Sequence, residues 1–195
     1  IILEANTLQS SFIRNDGNGK FSLVPLPLQA QVSALNGMIT DDFDGDGNLD
    51  IMINTNDYGI DVSIGRYDAL KGLVLKGNGN GEFTPLNFIQ SGVFIPGNGK
   101  SLVRLKSSDQ QYLVMATQNK SHALVFKPRK HTPLVTFQKD DLFAVAKLKN
   151  GKQQRIENYH GSSFLSQSGH FFIYSPSIIS VEITNNKGLK RLIQK

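Results

Sequence analysis

The feature that most constrains this chain is an internal repeat with an offset of 62 residues. The segment FIRNDGNGKFSLVPL, which begins at Phe12, is matched by VLKGNGNGEFTPLNF from Val74. The same offset places the apolar stretch DIMINT (50–55) on YLVMAT (112–117). Agreement without a gap over about 45 positions indicates two copies of one structural unit.

Each copy has the pattern of a four-stranded antiparallel unit. An apolar strand ends in an Asn/Gly turn, where positive φ is tolerated, and a strand that opens with Phe returns as a hairpin. A second Asn-Gly pair, at 36–37 and 98–99, precedes two further apolar strands. A third, shorter opening strand is predicted at 123–127. A four-stranded repeat of this length is typical of a β-propeller blade.

The composition suits short strands joined by tight turns. The chain has 18 glycines and no cysteine, which excludes disulfide frameworks, thiolate zinc sites and thiol catalysis. No apolar run approaches the ~20 residues of a membrane-spanning helix, so no membrane span is predicted. The sequence begins at Ile1 with neither an initiator methionine nor a secretory leader, and we expect it to be a piece of a larger protein.

The expected fold class is all-β. Residues 1–128 are assigned to antiparallel propeller-type blades (a partial β-propeller), and residues 129–195 to a small β domain that follows them. Propellers have about four to eight blades, so two units do not close a ring. We therefore expect the open blade edges to be covered by the rest of the propeller or by a second copy of the chain.

Charge is distributed unevenly, because residues 1–99 carry a net charge of −6 and residues 100–195 carry +11. A basic half can bind nucleic acid or another anionic surface. Here the lysines and arginines are scattered, with no aromatic-interleaved RNA motif and no recognition-helix pattern. A solvated basic face is the simpler interpretation, and no nucleic-acid partner is predicted.

The chemistry is concentrated in DFDGDGNLD, residues 42–50. Its carboxylates occupy alternate positions of a loop that Gly47 allows to bend sharply, so they converge on one point. Calcium takes about six to eight hard oxygen ligands. The predicted metal ligands are the side chains of Asp42, Asp44, Asp46 and Asp50, the backbone carbonyl of Asn48, and water.

Other interpretations of this loop fit less well. An acidic surface turn without a metal would leave four carboxylates repelling one another at close range. An EF-hand needs a helix after the loop, whereas LDIMIN is apolar and β-branched and predicts a strand. Magnesium is disfavoured because a mobile oxygen-rich loop does not impose its small octahedron. The expected cofactor is Ca2+, in a structural role.

The second unit lacks this site. Its equivalent positions are Arg104, Lys106, Ser108 and Tyr112, so cations replace carboxylates and no metal is expected. A lysine or arginine side chain, or a shorter direct turn, is expected to hold the two strands in register in place of the ion.

These motifs resemble the FG-GAP/VCBS repeats of integrin-α-like β-propellers. RNDGNGKF (14–21) and KGNGNGEF (76–83) match the strand-and-turn feature of the VCBS subgroup, and DFDGDGNLD (42–50) matches the calcium loop between blade strands. The resemblance covers residues ~10–127 and implies a calcium-stabilised propeller.

Beyond the repeats, GKQQRIENYHGSSFLSQS (151–168) is similar to the ASPIC/UnbV domain, which follows such repeats in many bacterial surface or secreted proteins. The chain departs from that pattern at Asn185 and Asn186, which replace Trp-Pro. Read without the resemblance, the segments LVTF, LFAVAKL, HFFIY and ISVEI of 131–195 predict short strands.

The residues predict recognition rather than catalysis. The serines after His160 lack the G-x-S-x-G pattern of a nucleophile elbow and are expected to cap turns. The insertion 58–70 is either neutral or presents Tyr58, Arg66 and Tyr67 to a carbohydrate or peptide.

The expected function is a non-enzymatic, calcium-stabilised recognition or adhesion module with a glycan or protein ligand. Its expected location is extracellular, at the cell surface, or periplasmic. The alternative is part of a calcium-dependent polysaccharide-degrading enzyme of the lyase type.

Overall fold

The computed structural model describes residues 4–128 and 132–194, and these ranges form an all-β structure with antiparallel sheets, as predicted. The first residues of the predicted small β domain, 129–131, lie outside the described residues. A 3-10 turn spans Leu28–Ala30 and a helix, α1, spans Phe88–Ser91. No helix of the described ranges is long and apolar enough to cross a membrane. The strands are β1 (Ser11–Gly17), β2 (Lys20–Pro25), β3 (Leu35–Asp41), β4 (Asp50–Thr55), β5 (Leu73–Gly77), β6 (Phe83–Leu86), β7 (Asn98–Lys106), β8 (Tyr112–Asn119), β9 (Leu124–Phe126), β10 (Leu134–Thr136), β11 (Asp141–Leu148), β12 (Gln153–Glu157), β13 (Phe171–Ile173), β14 (Ile178–Asn185) and β15 (Lys190–Gln194).

The strands of the two sequence copies correspond one to one, but neither copy forms the single four-stranded sheet that was expected. β1–β2 is a hairpin, β3–β4–β5–β6 is a four-stranded sheet in chain order, and β7–β8–β9 is a three-stranded sheet in chain order. With the 62-residue offset, β1 to β4 correspond to β5 to β8. The opening strand predicted at 123–127 is confirmed as β9, which pairs with β8.

The first sheet is packed on both faces because its central strands are apolar on both. Met52 and Val74 enter a core shared with the second sheet, whereas Ile53 and Leu75 enter a core on the opposite face. This alternation follows from the period of two residues along a strand. Strands buried on both sides contribute most of the apolar burial that stabilises such a stack.

The two repeat units approach so closely that glycine is needed at equivalent positions. A Cβ on Gly37 would lie 2.7 Å from the carbonyl oxygen of Lys100, and one on Gly99 would lie 2.6 Å from that of Thr55. The Asn36 side chain crosses the same gap and donates a hydrogen bond to the carbonyl of Gly99 at 2.8 Å. The contact between units is therefore made by backbone and buried amides as well as by apolar side chains.

The C-terminal region continues this stack. β10 pairs with β13, and β12–β11–β14–β15 forms a separate four-stranded sheet. Phe171 and Ile173 of β13 belong to the core of the repeats, whereas Phe172 and Tyr174 belong to the core of the C-terminal sheet. The predicted strands correspond to β10, β11, β13 and β14, and the polar strands β12 and β15 are additional.

A loop of the C-terminal region, residues 162–169, lies along the outer edges of β3 and β7. Ser163 Oγ accepts a hydrogen bond from the backbone N–H of Met38 at 2.9 Å, and Ser168 Oγ accepts one from that of Arg104 at 3.1 Å. We call this loop the serine clasp. Ser162 Oγ accepts from the N–H of Ser168 at 3.1 Å within the loop, as expected of a turn-capping serine, whereas Ser163 bonds to the distant edge of β3.

Candidate metal centre

The acidic loop closes the hairpin of β3 and β4, as predicted. Asp41 and Asp50 are the last paired residues before the loop, which spans 42–49. Asp42, Asp44 and Asp46 bring carboxylate oxygens within 4.8 Å of one another. Within the described ranges, no other group of three or more His, Asp or Glu side chains meets this criterion.

The loop backbone folds around its own aspartates. Asp42 accepts hydrogen bonds from the N–H groups of Gly45 at 2.8 Å and Gly47 at 3.0 Å. Both glycines have positive φ, near 85° and 92°, which lets successive N–H groups turn inward. Asp44 Oδ1 and Asp46 Oδ1 each accept from an N–H group two residues further on. These short-range bonds explain why alternate carboxylates converge.

One oxygen of Asp44 and one of Asp46 remain outside this backbone network, and Lys76 contacts both. Its Nζ forms an ion pair with Asp44 Oδ2 and another, at 3.1 Å, with Asp46 Oδ2. Hydrogen bonds to Asp44 and then Asp46 raise the pKa of Lys76. The Lys76 ammonium group therefore lies where the carboxylates would attract a metal cation.

Asp50 and Asn48 are placed at the rim of the cluster rather than within it. Asp50 Oδ2 accepts from the N–H of Phe43 at 3.1 Å, and Asp50 Oδ1 accepts from that of Gly77 at 2.9 Å. Asn48 donates its N–H to Asp46, and its side chain lies against Gly79. A ligand role for the Asp50 carboxylate and the Asn48 carbonyl stays a prediction.

The acidity of the carboxyl groups reflects burial and mutual repulsion. Burial, with added repulsion from Asp44 and Asp46, raises the pKa of Asp50 to about 6. Burial also raises the pKa of Asp42. Burial opposes ionisation of Asp46, but the Asn48 N–H and the Lys76 ammonium outweigh it and lower that pKa. A cation at the loop would stabilise the charged form of every one of these groups.

The donor set fits a hard divalent ion. It consists of carboxylate oxygens, with carbonyl oxygens at hand, and it already attracts the ammonium group of Lys76. Oxygen ligands of this kind suit calcium, which accepts irregular geometry. Asp42, Asp44 and Asp46 would hold the ion. Bound there, the ion would supply the positive charge that keeps the carboxylates together between two strands.

The equivalent turn of the second unit is closed by hydrogen bonds around a single carboxylate, that of Asp109, which accepts from Ser107 Oγ and from Gln111 Nε2. β7 continues through Lys106, and a turn of residues 107–111 leads directly into β8. Ser107 Oγ accepts from the N–H of Gln111 at 3.0 Å, and Ser107 N–H donates to the Gln111 carbonyl at 3.0 Å. Of the two devices expected here, the shorter direct turn is the one observed.

The cations at the former ligand positions point away from their own turn. Arg104 Nη1 lies 3.4 Å from Asp41 Oδ2 in the first unit, and Lys106 Nζ donates to Thr136 Oγ1 at 2.9 Å. Asp41 is buried, and burial raises its pKa although Arg104 opposes the shift. These two side chains therefore link the second unit to its neighbours on either side.

A cleft of about 260 Å3 lies beside the acidic loop. It is lined by residues 47–49 of the loop, by β5, β6 and the turn between them, by the segment 152–154 where β12 begins, and by the apolar side chains of Phe12 and Leu148. The charged side chains of its described lining are Glu82 and Lys152. The side-chain amides of Asn48, Gln153 and Gln154 also line it. The acidic loop and this cleft thus share residues 47–49.

The insertion 58–70 is ordered by its aromatic residues. The Arg66 guanidinium lies 4.9 Å from the centre of the Tyr58 ring, and the backbones of Asp57 and Tyr67 pair as a β-bridge. Val62 at the tip is 98% exposed. Tyr58 and Arg66 contact each other, so their ability to bind a ligand stays a prediction.

Two features of the site region were missed from the sequence. Lys76 is a single charged residue within the apolar strand LVLKG, and that contrast was the available signal. His160 and His170, ten positions apart, stack with ring centres 4.7 Å apart. No local spacing rule connects them, because the serine clasp brings them together.

No family model matches the chain. None of the curated proteins compared is significantly similar to it.

Proposed function

We propose that this chain is a non-enzymatic, calcium-stabilised recognition or adhesion module made of β-propeller-type blades. The observation that carries the proposal is the convergence of Asp42, Asp44 and Asp46 within 4.8 Å at the turn between β3 and β4. Calcium sites of extracellular modules have dissociation constants of about 0.1–1 mM. Such a site is filled in a millimolar-calcium environment, which fits an extracellular, surface or periplasmic location.

The stacking of the sheets supports blade-type architecture. Phe83 of the second hairpin packs edge-to-face on Phe12 of the first, at 5.8 Å between ring centres. Phe21, the repeat equivalent of Phe83, is 64% exposed, and the neighbouring Ile13 and Leu23 are 62% and 57% exposed. This apolar face suits a further blade, supplied by the rest of the propeller or by a second copy of the chain.

The cleft beside the loop is the proposed binding surface. Its amide groups and its one pair of opposite charges, Glu82 and Lys152, suit the hydroxyl and amide groups of a glycan or a protein loop. Because residues 47–49 form one wall, ordering of the loop by calcium would also fix the shape of this surface.

Binding to glycan and peptide arrays in calcium, compared with chelator, tests the proposal. We expect retention in calcium only, and loss of retention in Asp46→Asn and in the cleft variant Lys152→Ala. Lys187→Ala, in the exposed turn between β14 and β15, is the matched control and should bind normally. Unsaturated oligosaccharide products would favour the lyase alternative, and binding unaffected by chelator would contradict the role of calcium.

A further inference from the structure

Lys76 takes the cluster's remaining carboxylate oxygens. Asp44 Oδ1 and Asp46 Oδ1 are engaged by N–H groups of the loop, whereas Lys76 contacts Oδ2 of both residues. The position of Lys76 is fixed by its neighbour in β5, because the N–H of Gly77 donates a hydrogen bond to Asp50. β5 thus closes the loop with one side chain and one backbone group.

We propose that Lys76 is a built-in competitor of Ca2+, an inference that rests on the proposed calcium site. Without the ion, its ammonium group offsets part of the negative charge of Asp44 and Asp46 and keeps the loop closed. When Ca2+ binds, the two Oδ2 atoms turn to the ion and the Lys76 ammonium is released into water. The protein exchanges one internal monovalent cation for one external divalent cation.

The surroundings of Lys76 allow this exchange without a change in the strands. Its side chain is 42% exposed, so the released ammonium can be hydrated at once. The bond from Gly77 N–H to Asp50 does not involve the Lys76 side chain, so β5 can keep its place against the loop. The exchange is therefore confined to the side chains of Lys76, Asp44 and Asp46.

The consequence is a weaker and more selective calcium site. Ca2+ has to displace an ion pair and then bind near a remaining positive charge, so removing that charge should raise the calcium affinity about tenfold. A monovalent ion cannot offset the loss of the Lys76 contacts as well as a divalent ion can. Lys76 should therefore set the calcium concentration at which the loop is loaded.

Calcium titration by calorimetry of the wild type, Lys76→Gln, Lys76→Arg and Lys71→Gln tests this role. Lys71 is the matched control, because it is 44% exposed and pairs with Asp68 away from the acidic loop. We expect about tenfold tighter binding in Lys76→Gln and wild-type affinity in Lys71→Gln. Lys76→Arg should stay close to wild type because its charge is kept.

Chemical labelling supplies a readout that a purely structural lysine would not change. Reductive methylation followed by mass spectrometry should show Lys76 becoming more reactive on addition of Ca2+, with Lys71 unchanged. Equal calcium affinity in Lys76→Gln and wild type, or labelling of Lys76 that ignores Ca2+, would overturn the competitor role while leaving the metal site intact. Absence of calcium binding in every variant would overturn the metal site itself, and the competitor role with it.

Discussion

The two equivalent hairpins, β3–β4 and β7–β8, have their strands connected by different kinds of turn. The first is joined by residues 42–49, in which carboxylates gather around a cation position and Lys76 reaches in from β5. The second is joined by residues 107–111, in which Ser107 and Gln111 bond to each other. Both join adjacent antiparallel strands that pack against the same neighbour. The pairing of the two strands therefore does not require the acidic loop.

The difference also shows what happens to a site when its charges change sign. Arg104 and Lys106 stand at the positions of Asp42 and Asp44 in the repeat. They bond to Asp41 and Thr136, outside their own turn. The long basic side chains at these positions thus tie the second unit to its neighbours.

The largest expected loss of stability comes from disturbing the close backbone contact between the two repeat units. Gly37→Ala and Gly99→Ala should each lower the free energy of unfolding by about 3 kcal/mol, because the added methyl group meets backbone atoms of the adjoining unit. Urea denaturation measures the loss. Gly59→Ala is the control, since its Cβ would lie 3.4 Å from the nearest atom, and it should be nearly neutral. A mild effect at only one of the pair would show that the units do not pack equivalently.

A second expected effect is on thermal stability, which should depend on calcium through the first turn and not through the second. Saturating calcium should stabilise the wild type by about 2 kcal/mol relative to chelator, because the ion binds only the folded loop. For a chain of this size the melting temperature would rise by roughly 6 °C, read by calorimetry. Asp46→Asn should abolish the shift, whereas Asp109→Asn, in the second turn, should keep it. A shift that survives Asp46→Asn would place the ion elsewhere.

The pH dependence of the first turn should follow Asp50. Its folded pKa of about 6 lies above that of an unfolded aspartate, so the folded state binds the extra proton. In chelator, the stabilisation present below pH ~4 should be lost as pH rises through ~6, by about 3 kcal/mol. Thermal melts across this range measure it. The slope should become clearly smaller in Asp50→Asn, with a remainder from Asp41 and Asp42, whose pKa values burial also raises, and an unchanged slope would assign it to other groups.

The smallest effect belongs to the second turn. Ser107→Ala removes the oxygen that accepts the Gln111 N–H and should cost about 1 kcal/mol. The loss should be the same in calcium and in chelator, by urea denaturation in both buffers. A calcium-dependent loss would contradict the view that this turn is independent of metal.

Much of the fold was predictable because it follows from local patterns and from the repeat. The period of two along DIMINT and the turn residues of NDGNGK and GNGNGE fix strands and hairpins without distant contacts. The convergence of Asp42, Asp44 and Asp46 was predictable for the same reason, since backbone bonds over a few residues produce it.

The rest depends on contacts between distant parts of the chain. Lys76 meets Asp44 across 32 positions, and Ser163 meets Met38 across 125. No short-range pattern encodes such pairs. The polar strand β12 became a strand only because β11 offered a free edge to pair with, and its own sequence, QQRIE, carries a weak apolar signal.

The serine clasp is synthesised well after the strand edges that it contacts. Ser163 leaves the ribosome 125 residues after Met38, which is about 6–25 s later at ordinary elongation rates. During that interval the growing polypeptide presents bare N–H groups along β3 and then along β7. Nascent chains crowded on one messenger could pair through those groups, so a late-arriving segment acts as the safeguard against cross-chain association. Premature termination before residue 162 would leave that safeguard out.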